Sequence, residues 1–110
     1  MNDIRNISKQ YFQYFSKKDI ESLKNLFDKH VKLRDWEIEA NGLDKVLEAN
    51  KSIFDNLKSI EVTPINLFVD NYTVIAELDI VINKKELLKV IDIIDFNENN
   101  KIVSVRAFKG

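Results

Sequence analysis

The feature that most constrains this chain is a change of apolar period near residue 59. Before it, apolar side chains recur at spacings of three and four; after it, β-branched runs are cut by turn dipeptides. The later runs span 60–69, 72–82, 86–96 and 101–108, separated by Asp70-Asn71, Asn83-Lys84 and Asn97 to Asn100. Asn and Asp tolerate the left-handed backbone of tight hairpins, so the pattern predicts a four-stranded antiparallel meander. Helices first and a meander last predict an α+β domain, with the helices packed on one face of a strongly curved sheet.

In the first half, Ile4, Ile7, Tyr11, Phe12 and Phe15 fall on one helical face, which predicts a helix over 3–16 with Tyr11 central in its buried stripe. Lys17 and Lys18 break that helix. Asp19 then supplies an N-cap for a second one, carrying Ile20, Leu23, Leu26 and Phe27 on one face and ending near Lys29. Val31, Leu33 and Asp35 alternate with Lys32, Arg34 and Trp36, the period of a strand covered on one side. Asn41 and Gly42 open a third helix whose stripe is Leu43, Val46, Leu47, Asn50, Ile53, Phe54 and Leu57. Asn50 is its one polar member.

A chain of 110 residues with 45% hydrophobic content has room for one core, so a single domain over 1–110 is expected. Seventeen basic against 18 acidic residues give a net charge of −1, which lacks the basic footprint of a nucleic-acid or anionic-membrane binder. The absence of Cys removes disulfides, thiolate nucleophiles and Cys-based zinc sites. Residues 1–12 lack the apolar core of a secretory signal, and no segment reaches the roughly 18 apolar residues of a membrane span. A cytoplasmic location, with neither membrane nor nucleic acid as partner, is therefore expected. There is no glycine-rich phosphate loop and no nucleophile elbow, and the lone His30 is read as solvated between Lys29 and the following strand.

Polar residues that interrupt apolar faces single out a site. Asp35 keeps the parity of Val31 and Leu33, so either its carboxylate faces the covered side or the strand has ended and Asp35 caps a turn. Asp92 stands among Val90, Ile91, Ile93 and Ile94, with both faces of its strand reading as buried and no charge partner beside it. A carboxyl in such a place is kept neutral by a raised pKa or is tied into a hydrogen-bond network. Asp79 shares its parity with Glu77 and is read as outward. Tyr11 and Asn50, each taken alone, read as core residues with satisfied polar ends. Together with inward Asp35 and Asp92 they converge between helices and sheet, where pockets form. Trp36, Glu37 and Glu39 form either a pocket lid or a polar surface around a half-buried indole.

The segments QYFQYFSKKDIESLKNLF, VKLRD, NGLDKVLEANKSIF and KVIDIIDFNENNKIVSVRAF, taken in that order, resemble the NTF2-like superfamily, in particular its SnoaL-like and ketosteroid isomerase-like members. The resemblance runs from Tyr11 through Phe108. It implies a cone in which three N-terminal helices pack on a strongly curved, mainly antiparallel sheet around a deep apolar pocket. In ketosteroid isomerases the catalytic set is a Tyr on the first helix, an Asp on the first strand and an Asp in a Val-Ile-Asp run on the penultimate strand. Matching these motifs implies Tyr11, Asp35 and Asp92.

The implied chemistry is proton abstraction next to a carbonyl by Asp35, with the enolate stabilised by Tyr11 and a protonated Asp92, and with no metal or organic cofactor. The expected ligand is a small apolar carbonyl compound, with Phe15, Trp36, Asn50, Phe54, Val90 and Val105 lining the pocket. A polyketide cyclase-like aldol reaction uses the same groups. A second reading keeps the pocket for binding or association without turnover. Dehydratase-like members use pocket histidines and epoxide hydrolase-like members an Arg held between carboxylates, whereas His30 lies outside the pocket and Arg106 has the parity of the opposite face.

Three departures stand out. Asn50 and Phe27 occupy positions where the isomerases carry tyrosines behind the oxyanion-binding Tyr, and Lys109 stands where an aromatic lines the pocket. Finally, Ile65, Leu67, Val69, Ile75, Val81, Ile91 and Ile93 read as an apolar stripe on the sheet face away from the helices, which predicts a homodimer through that face.

Overall fold

Asp3 accepts a hydrogen bond from Arg5 N at 2.9 Å and starts α1 (Ile4–Ser16), which buries Ile4, Ser8, Tyr11 and Phe12. This first helix belongs to a computed structural model that describes residues 3–110. After a turn in which Lys18 is left-handed, Asp19 caps α2 (Ile20–Leu26), accepting from Ser22 N at 3.2 Å and from Ser22 Oγ at 2.7 Å. The chain continues through β1 (Phe27–Arg34), β2 (Glu39–Asn41), α3 (Leu43–Asn56), β3 (Ile60–Asp70), β4 (Thr73–Ile82), β5 (Glu86–Phe96) and β6 (Ile102–Lys109). The strands form one open, curved sheet in the order β2-β1-β6-β5-β4-β3. Every neighbouring pair is antiparallel except β1 with β6, which is parallel.

Two boundaries depart from the pattern of the sequence. The second helix stops at Leu26 rather than near Lys29, and Phe27 opens β1 beside Ile102 of β6. The ring is buried equally well on either element, so the apolar spacing alone could not separate them, and pairing with β6 decides for the strand. Residues 39–41, for which the sequence pattern gives no strand, form the short edge strand β2 against β1. Three residues are too few to show a period.

The meander follows the expected bounds closely, with Asn71, Asn83, Lys84 and Asn100 supplying the positive φ of its turns. Gly42, at φ 90, takes the left-handed position ahead of α3. One irregularity changes which residues face which way. A bulge between Pro64 and Asn66 inserts an extra residue into β3. Upstream of it Ile60 and Val62 point inward; downstream, Leu67 and Val69 sit opposite the fully buried Ala76 and Val74, on the helix side. The expectation that Leu67 and Val69 share the outer face with Ile75 is therefore corrected, because one extra residue inverts the alternation. Phe68, paired with Ile75, takes the outer position instead and is 59% exposed. On β5 only the Val90, Asp92, Ile94 and Phe96 side is buried; Ile91 is exposed, so the reading of both faces as buried is also corrected.

The helices are tied over the concave side by side-chain bonds to backbone. Ser16 Oγ donates to Phe12 O at 3.0 Å and accepts from Val62 N at 2.8 Å, joining α1 to β3. Lys18 Nζ donates to the carbonyls of Phe54 at 2.9 Å and Lys58 at 3.3 Å, and to that of Leu57, closing the C-terminal end of α3. Among the described residues, no helix is long and apolar enough to cross a membrane.

Candidate active site

Between α1, α3 and the concave face lies a cavity of about 340 Å³. This is within the range of roughly 300–1,000 Å³ usual for small-molecule sites. Its wall is mostly apolar: Phe12 and Phe15 from α1, Ile53 from α3, Leu78 and Ile80 from β4, Val90 from β5 and Val105 from β6. Tyr11, Asp35, Asn50 and Asp92 interrupt it. The four polar residues marked by the sequence thus meet at one place, although they come from four separate elements.

Asp92 is set by the period of β5, whose even-numbered residues point inward. It stands opposite Ala76 on β4 and Ala107 on β6, two small side chains that leave the space in front of its carboxyl to the cavity. Only 7% exposed, it is pushed up from 3.8 to about 7, first by loss of water and second by the negative charge of Asp35. Among the described residues neither a cation nor a hydrogen bond acts to lower it. Near neutral pH Asp92 is therefore partly a carboxylic acid, able to donate a hydrogen bond.

Tyr11, from α1, lines the same cavity. Its ring is boxed by Phe12, Phe15 and Phe27, with centroids 5.5, 5.8 and 6.0 Å away. Burial, then the charges of Asp92 and Asp35, hold the phenol far above its ordinary value, so it remains a proton-bearing donor. Phe27 thus gives the phenol an apolar neighbour.

Asp35 follows the last residue of β1, and both readings of it hold at once. Its backbone N donates to Ile38 O at 2.9 Å, and its Oδ1 accepts from Glu37 N at 2.7 Å and Ile38 N at 2.6 Å. This turn fixes the carboxylate while the half-buried side chain still lines the cavity. Among the described residues Oδ2 accepts no bond, so one oxygen is left for a ligand. The charge of Asp35 bears on both Tyr11 and Asp92.

Asn50 departs from the reading of a satisfied core amide. It is 1% exposed, and among the described residues neither Oδ1 nor Nδ2 has a partner. Such groups cost about 1–3 kcal/mol each when left unpaired.

Of the remaining expected lining residues, Phe15, Trp36, Val90 and Val105 are on the wall. Phe54 is not: it packs edge-on behind Phe15, with centroids 4.8 Å apart. The helical stripe correctly buries Phe54 but could not show that Phe15 stands in front of it. Trp36 is half open to solvent, with Lys109 Nζ 5.7 Å from its ring centroid, inside cation–π range. Arg106 lies outside the wall and pairs with Asp95 at 3.4 Å; Asp79 pairs outward with Lys89 at 2.6 Å; His30 is exposed. Glu86 and Leu88 also line the cavity and had not been singled out, although they continue the parity of Asp92 and Val90. Among the described residues, no group of three or more His, Cys, Asp or Glu side chains could hold a metal ion.

Comparison with known proteins agrees with this fold. The model of the SnoaL-like domain family matches residues 8–105. No curated protein matches the chain. Among solved structures, an NTF2-like protein of unknown function from Cytophaga hutchinsonii superposes with a TM-score of 0.84 at 10% identity, over 100% of this chain and 92% of that one. A protein from Kribbella flavida, provisionally described as a ketosteroid isomerase, gives 0.85 at 15% identity over 97% of this chain and 77% of that one. The epoxide hydrolase/cyclase-like enzyme SalBIII, described in pyran ring formation in polyether salinomycin, gives 0.84 at 18% identity over 97% and 90%. At these identities the likeness is one of fold.

Proposed function

From the premise that the chain belongs to the family of SnoaL-like domains, we propose that it is an isomerase acting on a small carbonyl compound by proton transfer at the carbon next to the carbonyl. The observation that carries this reading is Asp92, a carboxyl kept partly protonated near neutral pH inside an apolar cavity that also holds a phenol and a second carboxylate. Asp35 takes the proton from the α-carbon through its uncommitted oxygen. The electron pair moves onto the carbonyl oxygen, where the Tyr11 hydroxyl and the Asp92 carboxylic acid donate hydrogen bonds. Where the substrate carries a β,γ double bond the enolate is a dienolate, and Asp35 returns the proton to its γ-carbon as the double bond shifts into conjugation. The two donors face charge that develops only in the transition state, which is where a hydrogen bond accelerates a reaction. The chemistry uses these side chains alone.

The charges on the wall favour an uncharged substrate. Asp35, Glu37 and Glu86 outnumber Lys109, so a ligand carboxylate would enter against the local field. The same enolate could attack a second carbonyl in a cyclase-like reaction. One observation favours a reading without turnover: Phe27 gives Tyr11 an apolar neighbour in place of a supporting hydroxyl. Conversion of 3-cyclohexen-1-one to its conjugated isomer, followed by ultraviolet absorbance, separates the two. Turnover by the wild type that falls about 10²–10⁴-fold in Asp35→Asn is expected for the isomerase. Binding of the ketone with no conversion would leave a ligand-binding domain.

We further propose that the outer sheet face, where Phe68, Ile75, Ile91 and Phe108 are exposed, pairs with a second copy of the chain.

A further inference from the structure

Asn50 breaks an otherwise apolar stripe on α3. Leu43, Val46, Ile53 and Leu57 flank it on the same face, and a leucine in its place would continue that stripe into the cavity wall. Instead the position carries an amide whose donor and acceptor are both buried and both unmet. The helix backbone around it is engaged in its own hydrogen bonds, and the other wall residues contributed by α3 are apolar. Because its side chain lines the cavity wall, a partner for the Asn50 amide has to come from that side, from water or from an occupant that displaces it and draws the amide toward itself. Ser8 provides the contrast: its Oγ is equally buried and unpartnered, yet it lies on α1 away from the cavity wall.

A hydroxyl engages both ends of an amide, donating to Oδ1 and accepting from Nδ2; a lone ether or ketone oxygen reaches only Nδ2. We propose that Asn50 is a specificity-determining residue that holds a hydroxyl of the substrate, so that the substrate class is a hydroxy ketone, with its carbonyl at Tyr11 and Asp92 and its hydroxyl at Asn50. This rests on the oxyanion role proposed for Tyr11 and Asp92. A site built to hydrogen-bond a hydroxyl discriminates strongly against the analogue that lacks it, because the buried polar groups are then left unpaired.

The test uses 2-naphthol, which has one hydroxyl, and the set of dihydroxynaphthalene isomers, which place a second hydroxyl at different separations. Affinities are measured by calorimetry for the wild type, Asn50→Leu, Asn50→Ala and Ser8→Ala. At least one diol is expected to bind the wild type about tenfold or more tightly than 2-naphthol, equivalent to about 1.4 kcal/mol. Asn50→Leu is expected to erase that preference while leaving 2-naphthol within about threefold, and to melt no lower than the wild type, since two unmet groups are removed. Ser8→Ala is expected to change neither affinity. If Asn50→Leu does not fold, Asn50→Ala reads the same preference. Should 2-naphthol bind while no diol binds better, or should both Asn50 variants weaken the diol and 2-naphthol alike, the role of Asn50 is overturned and that of Tyr11 and Asp92 stands. Failure of every naphthol to bind overturns both.

Discussion

Replacing Asp92 by Asn removes a titration without removing volume, and the structure sets both the sign and the size of the consequence. The Asp92 carboxyl rises from 3.8 to about 7 on folding, chiefly through burial. Between these values the folded chain keeps a proton that the unfolded chain has released. Unfolding therefore loses a proton, and the stability of the wild type falls as pH rises through this window. At roughly 1.4 kcal/mol per pH unit, the full penalty is about 4 kcal/mol once pH passes about 7. Asn cannot ionise, so Asp92→Asn escapes it.

Urea unfolding of both proteins across about pH 4 to 8.5 measures the effect, with each pH giving a stability from the linear extrapolation. The difference between variant and wild type cancels the titration of other groups. It is expected to be nearly constant below about pH 4, to grow in favour of the variant through the window, and to level off above about pH 7. A difference that stays flat across the range would refute the reasoning, since it would mean that Asp92 ionises as easily folded as unfolded.

Other consequences follow from the same geometry. Tyr11→Phe is expected to slow turnover of a ketone substrate about 10²–10³-fold by loss of one oxyanion donor, while urea unfolding finds stability within about 1 kcal/mol of the wild type. In Asp35→Asn, burial still holds the Asp92 carboxyl up, and loss of the neighbouring charge is expected to lower it only part of the way toward its ordinary value, read by carbon-13 NMR of the carboxyl against pH. The turnover rate of the wild type is expected to decline above about pH 7 as Asp92 ionises and stops donating, and Asp92→Asn is expected to lack that decline. Ile91→Lys places a charge in the exposed sheet face, and light scattering is expected to show a dimer for the wild type and a monomer for the variant.

The helix-then-meander order was legible because period three-to-four and period two are different signals, each sustained over many residues. The meeting of Tyr11, Asp35, Asn50 and Asp92 was legible for a related reason: each breaks the apolar pattern of its own element, and the fold brings the breaks together. What escaped the pattern was decided between elements. Phe27 is buried whether helix or strand, and only Ile102 of the parallel partner selects the strand. The bulge after Pro64 leaves the apolar residues of β3 in place while exchanging the faces of Leu67 and Phe68. Phe54 and Phe15 share one buried cluster, and their depth depends on how α1 crosses α3, which neither helix encodes alone. That Asn50 lacks partners is likewise a property of its surroundings, since the residue type equally suits a satisfied core amide.

The claim that Tyr11 and Asp92 form a site for a developing oxyanion is tested most directly by titrating 4-nitrophenol, a coloured mimic of an enolate, into the protein and following its ionisation by absorbance. The expected result is that the bound phenol is ionised at a pH where the free phenol is not, and that Tyr11→Phe and Asp92→Asn each weaken this binding about tenfold or more. Equal affinity and equal ionisation in all three proteins would contradict the oxyanion site.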